Sequence, residues 1–262
     1  MRVVIEASRE AAATFAAGWI VQRVARKPDG VLAVAAGTTM VPVYAAIAEG
    51  RPAGGASFAR ARIFDLDEYV GLPGDDPRSF RHFVRTNLVR KVGLPDASHF
   101  APDGMAADLE AECERYESAI AAAGGLDVAV LGLGRNGHLA FNEPGGSLAS
   151  RTRIEVLMRV ELSGDERRMA LPRIALTMGI GTILAARACL VVAFGAEKER
   201  AAAEMIEGPV TSLIPASALQ LHPDVTVVLD DAAAALLVNA AHYREAEALR
   251  RAMQSRAAAR GV

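Results

Sequence analysis

Short apolar, β-branched runs alternate with longer alanine-rich segments along this chain of 262 residues. Runs of four to six such residues are typical of buried strands, and the longer segments are typical of helices. The predicted strands are Arg2–Ile5, Val31–Ala35, Arg62–Phe64, Val128–Leu131, Cys189–Ala193 and Val225–Leu229. The predicted helices are Arg9–Arg26, Pro42–Glu49, Ser79–Val89, Asp108–Ala122, Glu197–Ile206, Ala232–Asn239 and Tyr243–Ala258.

This alternation favours a largely parallel sheet that is covered by helices on both faces. The fold class that we predict is α/β, a Rossmann-like three-layer sandwich with a mostly parallel sheet and a short lid excursion. With 52% hydrophobic residues, the chain is long enough to bury a full core. Because no repeat or low-complexity linker interrupts it, we expect a single domain over residues 1–262.

Residues 31–48 carry no charge over 18 positions. That length would suffice for a membrane span, but Gly37, Thr38, Thr39 and Pro42 interrupt it. We interpret it as a strand, a polar turn and a helix that begins near Pro42. The N-terminal residues show no signal-peptide pattern, since Glu6, Arg9 and Glu10 break the apolar run.

Charge and cysteine content narrow the functional classes. The net charge of −2 gives no overall basic field for nucleic acid. Cys113 and Cys189 lie far apart without a CxxC spacing, which favours buried, reduced thiols over a zinc site or a disulfide.

The densest chemistry lies in residues 131–145, which hold four glycines, a histidine, a carboxylate and two asparagines after a predicted strand. Loops at the carboxyl ends of strands are where open α/β sheets bind ligands. The spacing Gly132-x-Gly134-x-x-Gly137 taken alone fits a dinucleotide fingerprint, which requires a helix that opens at the third glycine. Pro144 and the glycines after it arrive too soon for that helix, so we disfavour the dinucleotide interpretation.

His138 is the candidate proton carrier of this loop. Asn136 and Glu143 lie close to it in sequence, and an amide and a carboxylate can set the tautomer and basicity of an imidazole. The other four histidines, at positions 82, 99, 222 and 242, are interpreted as structural.

A second candidate lies in the acidic segment that follows the strand Arg62–Phe64. Asp65, Asp67 and Glu68 place three carboxylates within four residues at the end of a predicted buried strand. There, one of them can face the same crevice as His138, and a carboxylate with a raised pKa can carry a proton between carbons.

These segments resemble the glucosamine-6-phosphate deaminase family, also called the glucosamine-6-phosphate isomerase family. The resemblance covers nearly the whole chain. It is most specific in Asp67–Leu72 (DEYVGL), Asn136–Pro144 (NGHLAFNEP), Ser147–Arg153 (SLASRTR) and Ala175–Thr182 (ALTMGIGT).

The resemblance implies hydrolytic deamination and aldose–ketose isomerisation of glucosamine 6-phosphate to fructose 6-phosphate and ammonia, with no metal or organic cofactor. His138 would open the pyranose ring, with Glu143 and Asn136 in support. Asp67 would move the proton between C2 and C1 of the opened sugar. The implied substrate-binding residues are Gly37, Thr38, Thr39 and Lys198, with the first three at a helix N-terminus that favours an anion.

The chain also departs from the family pattern. Many members have aspartate at the position of Asn136, and an amide cannot share a proton with His138. The predicted lid, at about residues 147–171, lacks the family's phosphate arginine, for which Arg159, Arg167 and Arg168 are alternatives. Allosteric members carry a basic residue two places after Arg153; the chain has Glu155 there, which would repel a phosphate. We therefore expect no activation by N-acetylglucosamine 6-phosphate.

Three alternatives stay open: a galactosamine-6-phosphate deaminase, a 6-phosphogluconolactonase and a non-catalytic sugar phosphate sensor. The expected partner is a small-molecule amino sugar phosphate, without nucleic acid or membrane, and the expected location is cytoplasmic. A homo-oligomer also stays open.

Overall fold

The computed structural model describes residues 1–50, 56–157 and 171–259. Its helices are α1 (Arg9–Arg26), α2 (Val41–Ala48), α3 (Phe80–Val84), α4 (Leu109–Ala122), α5 (Ile180–Leu184), α6 (Glu199–Glu207) and α7 (Ala240–Ala259). Its strands are β1 (Arg2–Glu6), β2 (Val31–Val34), β3 (Arg62–Asp65), β4 (Asp67–Tyr69), β5 (His99–Phe100), β6 (Val128–Gly132), β7 (Arg153–Val156), β8 (Ile174–Thr177), β9 (Ala188–Ala193) and β10 (Val225–Asp230).

Seven strands form a parallel sheet in the order β1-β10-β9-β6-β2-β3-β5. Strands β2, β9 and β10 are buried along their whole length, as the continuous apolar runs predicted for a sheet covered on both faces. The predicted α/β fold with a mostly parallel sheet is confirmed. From β2 the chain first adds strands on one side and then returns to add β6 on the other, so strand order reverses between β2 and β6. Ligands bind at such a reversal, outside the carboxyl ends of the strands.

Two buried tyrosines fix the carboxyl ends of neighbouring strands. The Tyr44 hydroxyl of α2 donates a hydrogen bond to the Ala35 carbonyl after β2, at 2.5 Å. The Tyr116 hydroxyl of α4 donates to the Asp65 carbonyl at the end of β3, at 2.7 Å. Because both rings are fully buried, these bonds hold the strand ends that lead into the site.

A second sheet has three antiparallel strands in the order β4-β8-β7. Thr177 of β8 stands opposite both Asp67 and Arg153 in register. Sequence patterning did not predict this sheet, since β4 has only three residues and β7 is half-exposed and polar. In this sheet Asp67 pairs with β8 and does not continue β3.

Most of the predicted helices are confirmed, and local capping explains their starts. The Ser8 hydroxyl accepts from the Ala11 amide at the start of α1, and the Asp108 carboxylate accepts from the Ala111 amide at the start of α4. The helix predicted over Ser79–Val89 is α3 followed by a π-helical turn over Arg85–Val89.

The helix predicted over Ala232–Asn239 is wrong. That segment forms successive turns, and α7 begins only at Ala240. The carboxylate of Glu207 accepts from the Val238 and Asn239 amides at 2.8 and 2.9 Å, so it caps the chain where α7 starts. A contact from a residue about 30 positions away thus overrides the alanine-rich local preference.

No helix among the described residues is long and apolar enough to cross a membrane. The uncharged segment 31–48 is β2, a turn and α2, as predicted. Cys113 and Cys189 are buried free thiols, also as predicted.

Candidate active site

The candidate residues follow four strands that are adjacent in the sheet, in the order β9, β6, β2 and β3. Lys198 follows β9, His138 follows β6, the turn Gly37–Thr39 follows β2, and Asp67 follows β3. Parallel strands end at one edge of the sheet, so these segments lie along the same edge, beside the reversal of strand order where α/β sheets bind ligands.

The glycine loop after β6 contains no helix between Leu133 and Thr152. The dinucleotide interpretation therefore fails, because no helix N-terminus is present to receive a pyrophosphate. The loop is instead a series of tight turns, with Gly137 at φ +81° and Ala140 at φ +52°. Ala140 is the one residue other than glycine with a positive φ in the described part of the chain. Such backbone strain persists only where the surroundings impose it.

His138 lies directly against Gly134. A Cβ atom at Gly134 would meet the His138 ring closer than 3.0 Å, so only glycine leaves room for the imidazole in this position. The Nδ1 atom of His138 is buried without a hydrogen-bond partner, and it lies 3.9 Å from Oε1 of Glu143. Burial lowers the pKa of His138, the Glu143 charge raises it, and the Lys198 charge lowers it. The net shift is downward, which keeps the imidazole neutral and able to accept a proton near neutral pH.

Asn136 contacts Glu143 rather than the His138 ring. Its side-chain amide donates to Oε2 of Glu143 at 2.9 Å, and its amide oxygen accepts from the His138 backbone amide at 3.3 Å. Asn136 thus orients the carboxylate and the loop, while the other oxygen of Glu143 faces the imidazole.

Side chains that sequence reasoning did not single out tie this loop to the second sheet. The buried Asn142 amide donates to the carbonyls of Leu139 and Met178, at 2.9 and 2.8 Å. The Phe141 amide donates to the Thr177 hydroxyl, opposite Asp67 in β4. The available sequence signal was Asn142 itself, an amide between apolar residues and Glu143.

An aromatic cluster makes the same connection. Phe141 stacks on Phe80 with ring centroids 5.4 Å apart, and both contact Tyr69 of β4, at 5.1 and 4.9 Å. Such pairs contribute about 0.5–1.5 kcal/mol each beyond their burial. The strand of Asp67 and the loop of His138 are therefore held together by aromatic packing as well as by hydrogen bonds.

The structure gives each of the three acidic side chains a different environment. Asp65 accepts from Nε2 of His99 at 3.0 Å on both carboxylate oxygens, with both side chains buried. Glu68 accepts from the Ser79 hydroxyl and from the amides of Phe80 and Arg81, at the start of α3. A carboxylate is favoured at a helix N-terminus, so both neighbours of Asp67 have partners of their own.

Asp67 differs because no donor in the described ranges hydrogen-bonds to its carboxylate. The residue is 4% exposed. Burial raises its pKa well above the ordinary value, and the charges of Glu68 and Asp65 raise it further. A carboxylate with a raised pKa is a stronger base than usual, and it can both accept and return a proton.

The two anion-binding candidates lie on the neighbouring strand ends. Gly37, at φ +111°, opens the turn that leads into α2, and its carbonyl accepts from the Met40 amide at 3.0 Å. Lys198 lies in a 3-10 turn before α6. The Asp230 carboxylate accepts from the Gly195 amide at 3.0 Å and so holds the start of that turn.

Part of the predicted lid is described, and it contains an ion pair. Glu155 accepts from Nη2 of Arg153 at 2.5 Å, and Nη1 of Arg153 donates to Oδ1 of Asn142 at 2.6 Å. The guanidinium is thus shared between β7 and the glycine loop. The alternative phosphate ligands Arg159, Arg167 and Arg168 lie outside the described residues.

Comparison with known proteins agrees with this architecture. The sequence model of the family described as glucosamine-6-phosphate isomerases/6-phosphogluconolactonase matches residues 5–228. A glucosamine-6-phosphate deaminase of Streptomyces avermitilis is 45% identical over 251 residues, covering 93% of this chain and 95% of that protein. The enzyme of the same name from Shewanella loihica is 41% identical over 263 residues, covering 99% of this chain and 98% of its own.

Solved structures give the same result. A monomeric glucosamine-6-phosphate deaminase superposes with a TM-score of 0.86 at 38% identity, over 90% of this chain and all of that chain. A 6-phosphogluconolactonase from Trypanosoma cruzi superposes with a TM-score of 0.74 at 22% identity, over 90% of this chain and 97% of that chain, a likeness of fold alone. The chain therefore belongs to the family of glucosamine-6-phosphate isomerases and 6-phosphogluconolactonases.

Proposed function

We propose that the protein is a glucosamine-6-phosphate deaminase, which converts glucosamine 6-phosphate and water to fructose 6-phosphate and ammonia. The observation that carries the proposal is identity above 40% to deaminases over nearly the full length of both chains. The geometry supports it, because His138 and Asp67 follow strands β6 and β3, which flank β2 at one edge of the sheet, and no donor among the described residues hydrogen-bonds to the Asp67 carboxylate.

His138 acts first in the proposed mechanism. Its neutral imidazole accepts the proton of the C1 hydroxyl and delivers a proton to the ring oxygen, which opens the pyranose. Glu143, at 3.9 Å from Nδ1, stabilises the transient imidazolium. Contacts of this kind are often long in ligand-free enzymes and shorten in the reacting complex.

Asp67 then carries the proton from carbon to carbon. Its carboxylate removes the C2 proton of the open-chain sugar and returns it at C1 by way of an enolamine. The enolamine becomes a C2 imine, which water hydrolyses to the ketose with loss of ammonia. The raised pKa of Asp67 suits both halves of this transfer, since the group must be ionised to accept the proton and basic enough to retain it.

The phosphate is held by Lys198 and by the turn Gly37–Thr39 in this proposal. The turn offers backbone amides and two hydroxyls at the start of α2, where anions are favoured. Lys198 lies near enough to His138 for its charge to lower the pKa of that residue. Strand β6, which leads to His138, lies between the two strands that lead to these phosphate-binding segments.

The decisive experiment incubates the purified protein with glucosamine 6-phosphate and measures ammonia and fructose 6-phosphate together. We expect both products in equal amounts, with Asp67→Asn as the inactive control. The same preparation is offered galactosamine 6-phosphate and 6-phosphogluconolactone. Hydrolysis of the lactone without ammonia release from either amino sugar would replace the deaminase with a lactonase, and no turnover of any of the three would favour a sensor.

A further inference from the structure

Asp65, two residues before Asp67, forms a pair with His99. This pair is absent from the mechanism given above. Both side chains are 2% exposed, and Nε2 of His99 lies 3.0 Å from each oxygen of Asp65. An imidazole N–H shared between both oxygens recognises an ionised carboxylate, because a protonated carboxyl would leave one oxygen as a poor acceptor. The geometry is thus that of a charged Asp65 retained by His99.

Backbone geometry brings that charge close to Asp67. Asp65 ends β3 in the parallel sheet, Asp67 begins β4 in the antiparallel sheet, and only Leu66 separates them. Leu66 is clamped, since its amide donates to the Val34 carbonyl and its carbonyl accepts from the Met178 amide. The two acidic residues therefore cannot move apart to relieve their repulsion.

We propose that His99 and Asp65 are positioning residues for the proton transfer: His99 retains Asp65 as a buried anion, and this anion makes the carboxylate of Asp67 a stronger base. The proposal rests on the proposed function, because it concerns the proton that Asp67 carries. It also changes the status of His99, which sequence reasoning treated as structural.

The electrostatic terms have the signs that this role requires. Burial raises the pKa of Asp65 to about 6, while the charge and hydrogen bond of His99 oppose that rise. Asp65 therefore stays ionised near neutral pH because His99 is present. Its charge in turn raises the pKa of Asp67. The other ionisable groups that face this pair are Tyr44 of α2, Glu68 of β4, Arg81 of α3 and Tyr116 of α4.

These neighbouring groups do not take over the role of His99 as hydrogen-bond donor to Asp65. Glu68 already accepts from the hydroxyl and amides at the start of α3, and the Tyr116 hydroxyl donates to the backbone carbonyl of Asp65 rather than to its carboxylate. His99 is thus the one side chain in the described segments that donates to the Asp65 carboxylate.

The test is the titration of Asp67, followed in the free protein by carboxyl carbon-13 NMR and assigned by its loss in Asp67→Asn. In Asp65→Asn the amide oxygen still accepts from His99, but the negative charge is gone. We expect the Asp67 midpoint to fall by about one pH unit, the scale of one nearby buried charge. The pKa that defines the acid limb of the kcat/KM–pH profile should fall by the same amount, because kcat/KM reports the ionisation of the free enzyme.

His99→Leu should shift Asp67 in the same direction, because an unpaired, buried Asp65 takes up a proton and loses its charge. The double variant should shift no further than either single variant, since all three remove the same charge. Asp96→Asn is the matched control: it makes the same change at a carboxylate that is 64% exposed, and it should leave Asp67 unmoved.

An unchanged midpoint in Asp65→Asn, or an upward shift in His99→Leu, overturns the proposal. A purely structural pair would lower the melting temperature of the variants without moving the Asp67 midpoint. The deaminase assignment can fail separately. Wild-type protein that releases no ammonia would refute that assignment, whereas an active enzyme with an unshifted Asp67 refutes only the role of the pair.

Discussion

Substitution of Gly134 by alanine tests whether the position of His138, rather than its mere presence, supports catalysis. Gly134 is buried and its φ is not positive, so alanine fits the backbone there. The added methyl would instead lie closer than 3.0 Å to Cγ, Cδ2 and Nε2 of His138. The ring is 33% exposed, so it can swing toward solvent to relieve the overlap.

The structure sets the expected losses of stability and of catalytic rate in Gly134→Ala. Overpacking of a rigid site costs about 1–3 kcal/mol, and a ring that can rotate places this variant at the low end. Displacement of a catalytic group by about 1 Å lowers the rate about 100-fold, which corresponds to about 2.7 kcal/mol of transition-state stabilisation. We therefore expect a large loss of kcat with a small loss of stability.

Three measurements on Gly134→Ala decide the outcome: ammonia release, the melting temperature, and the imidazole NMR signals of His138. Gly132→Ala is the control for the fold and for the His138 signals, since a Cβ at Gly132 meets no atom within 4 Å. Wild-type kcat in Gly134→Ala together with displaced His138 signals would refute the requirement for a positioned imidazole.

The remaining predictions concern the substrate and regulation. Asp67→Asn should lower turnover by about 1,000-fold or more, within the range of general acid–base catalysis, while calorimetry shows nearly unchanged binding of glucosamine 6-phosphate; wild-type turnover would remove Asp67 from the mechanism. His138→Gln should slow the pyranose substrate about 100-fold but spare an open-chain analogue, and an equal loss on both would contradict the ring-opening role. N-acetylglucosamine 6-phosphate should leave the initial rate unchanged, because Glu155 already pairs with Arg153; a rate that rises with its concentration would disprove this.

The acidic segment shows which features of the site could be predicted from the sequence. Three clustered carboxylates after a strand predicted that one of them faces the crevice, but their spacing could not say which. The partners of the other two come from distant parts of the chain: His99 is 34 residues from Asp65, and the start of α3 is 11 to 13 residues from Glu68. The family resemblance singled out Asp67, but the physical reason for its difference from Asp65 and Glu68 is visible only once those bonds are known.

In the glycine loop, too, local sequence predicted one feature and the folded structure decided another. Its glycines and Pro144 were enough to reject a dinucleotide site, since both act through local backbone geometry. The contact of Asn136 with Glu143, rather than with the His138 ring, depends on how the loop folds back on itself. Spacing in sequence did not determine that contact.

The sequence by itself determined the parallel sheet, most of its helices and the four strand ends that carry the candidate residues, because apolar periodicity and capping act over a few residues. Only the tertiary structure decided that β4 pairs with β8, that His99 pairs with Asp65, and that Glu207 delays α7. Each of these is a contact between segments remote in sequence, in which a hydrogen bond or a buried charge outweighs the local preference of the chain. The candidate chemistry of Asp67 therefore comes from the fold, although the residue itself was visible in the sequence.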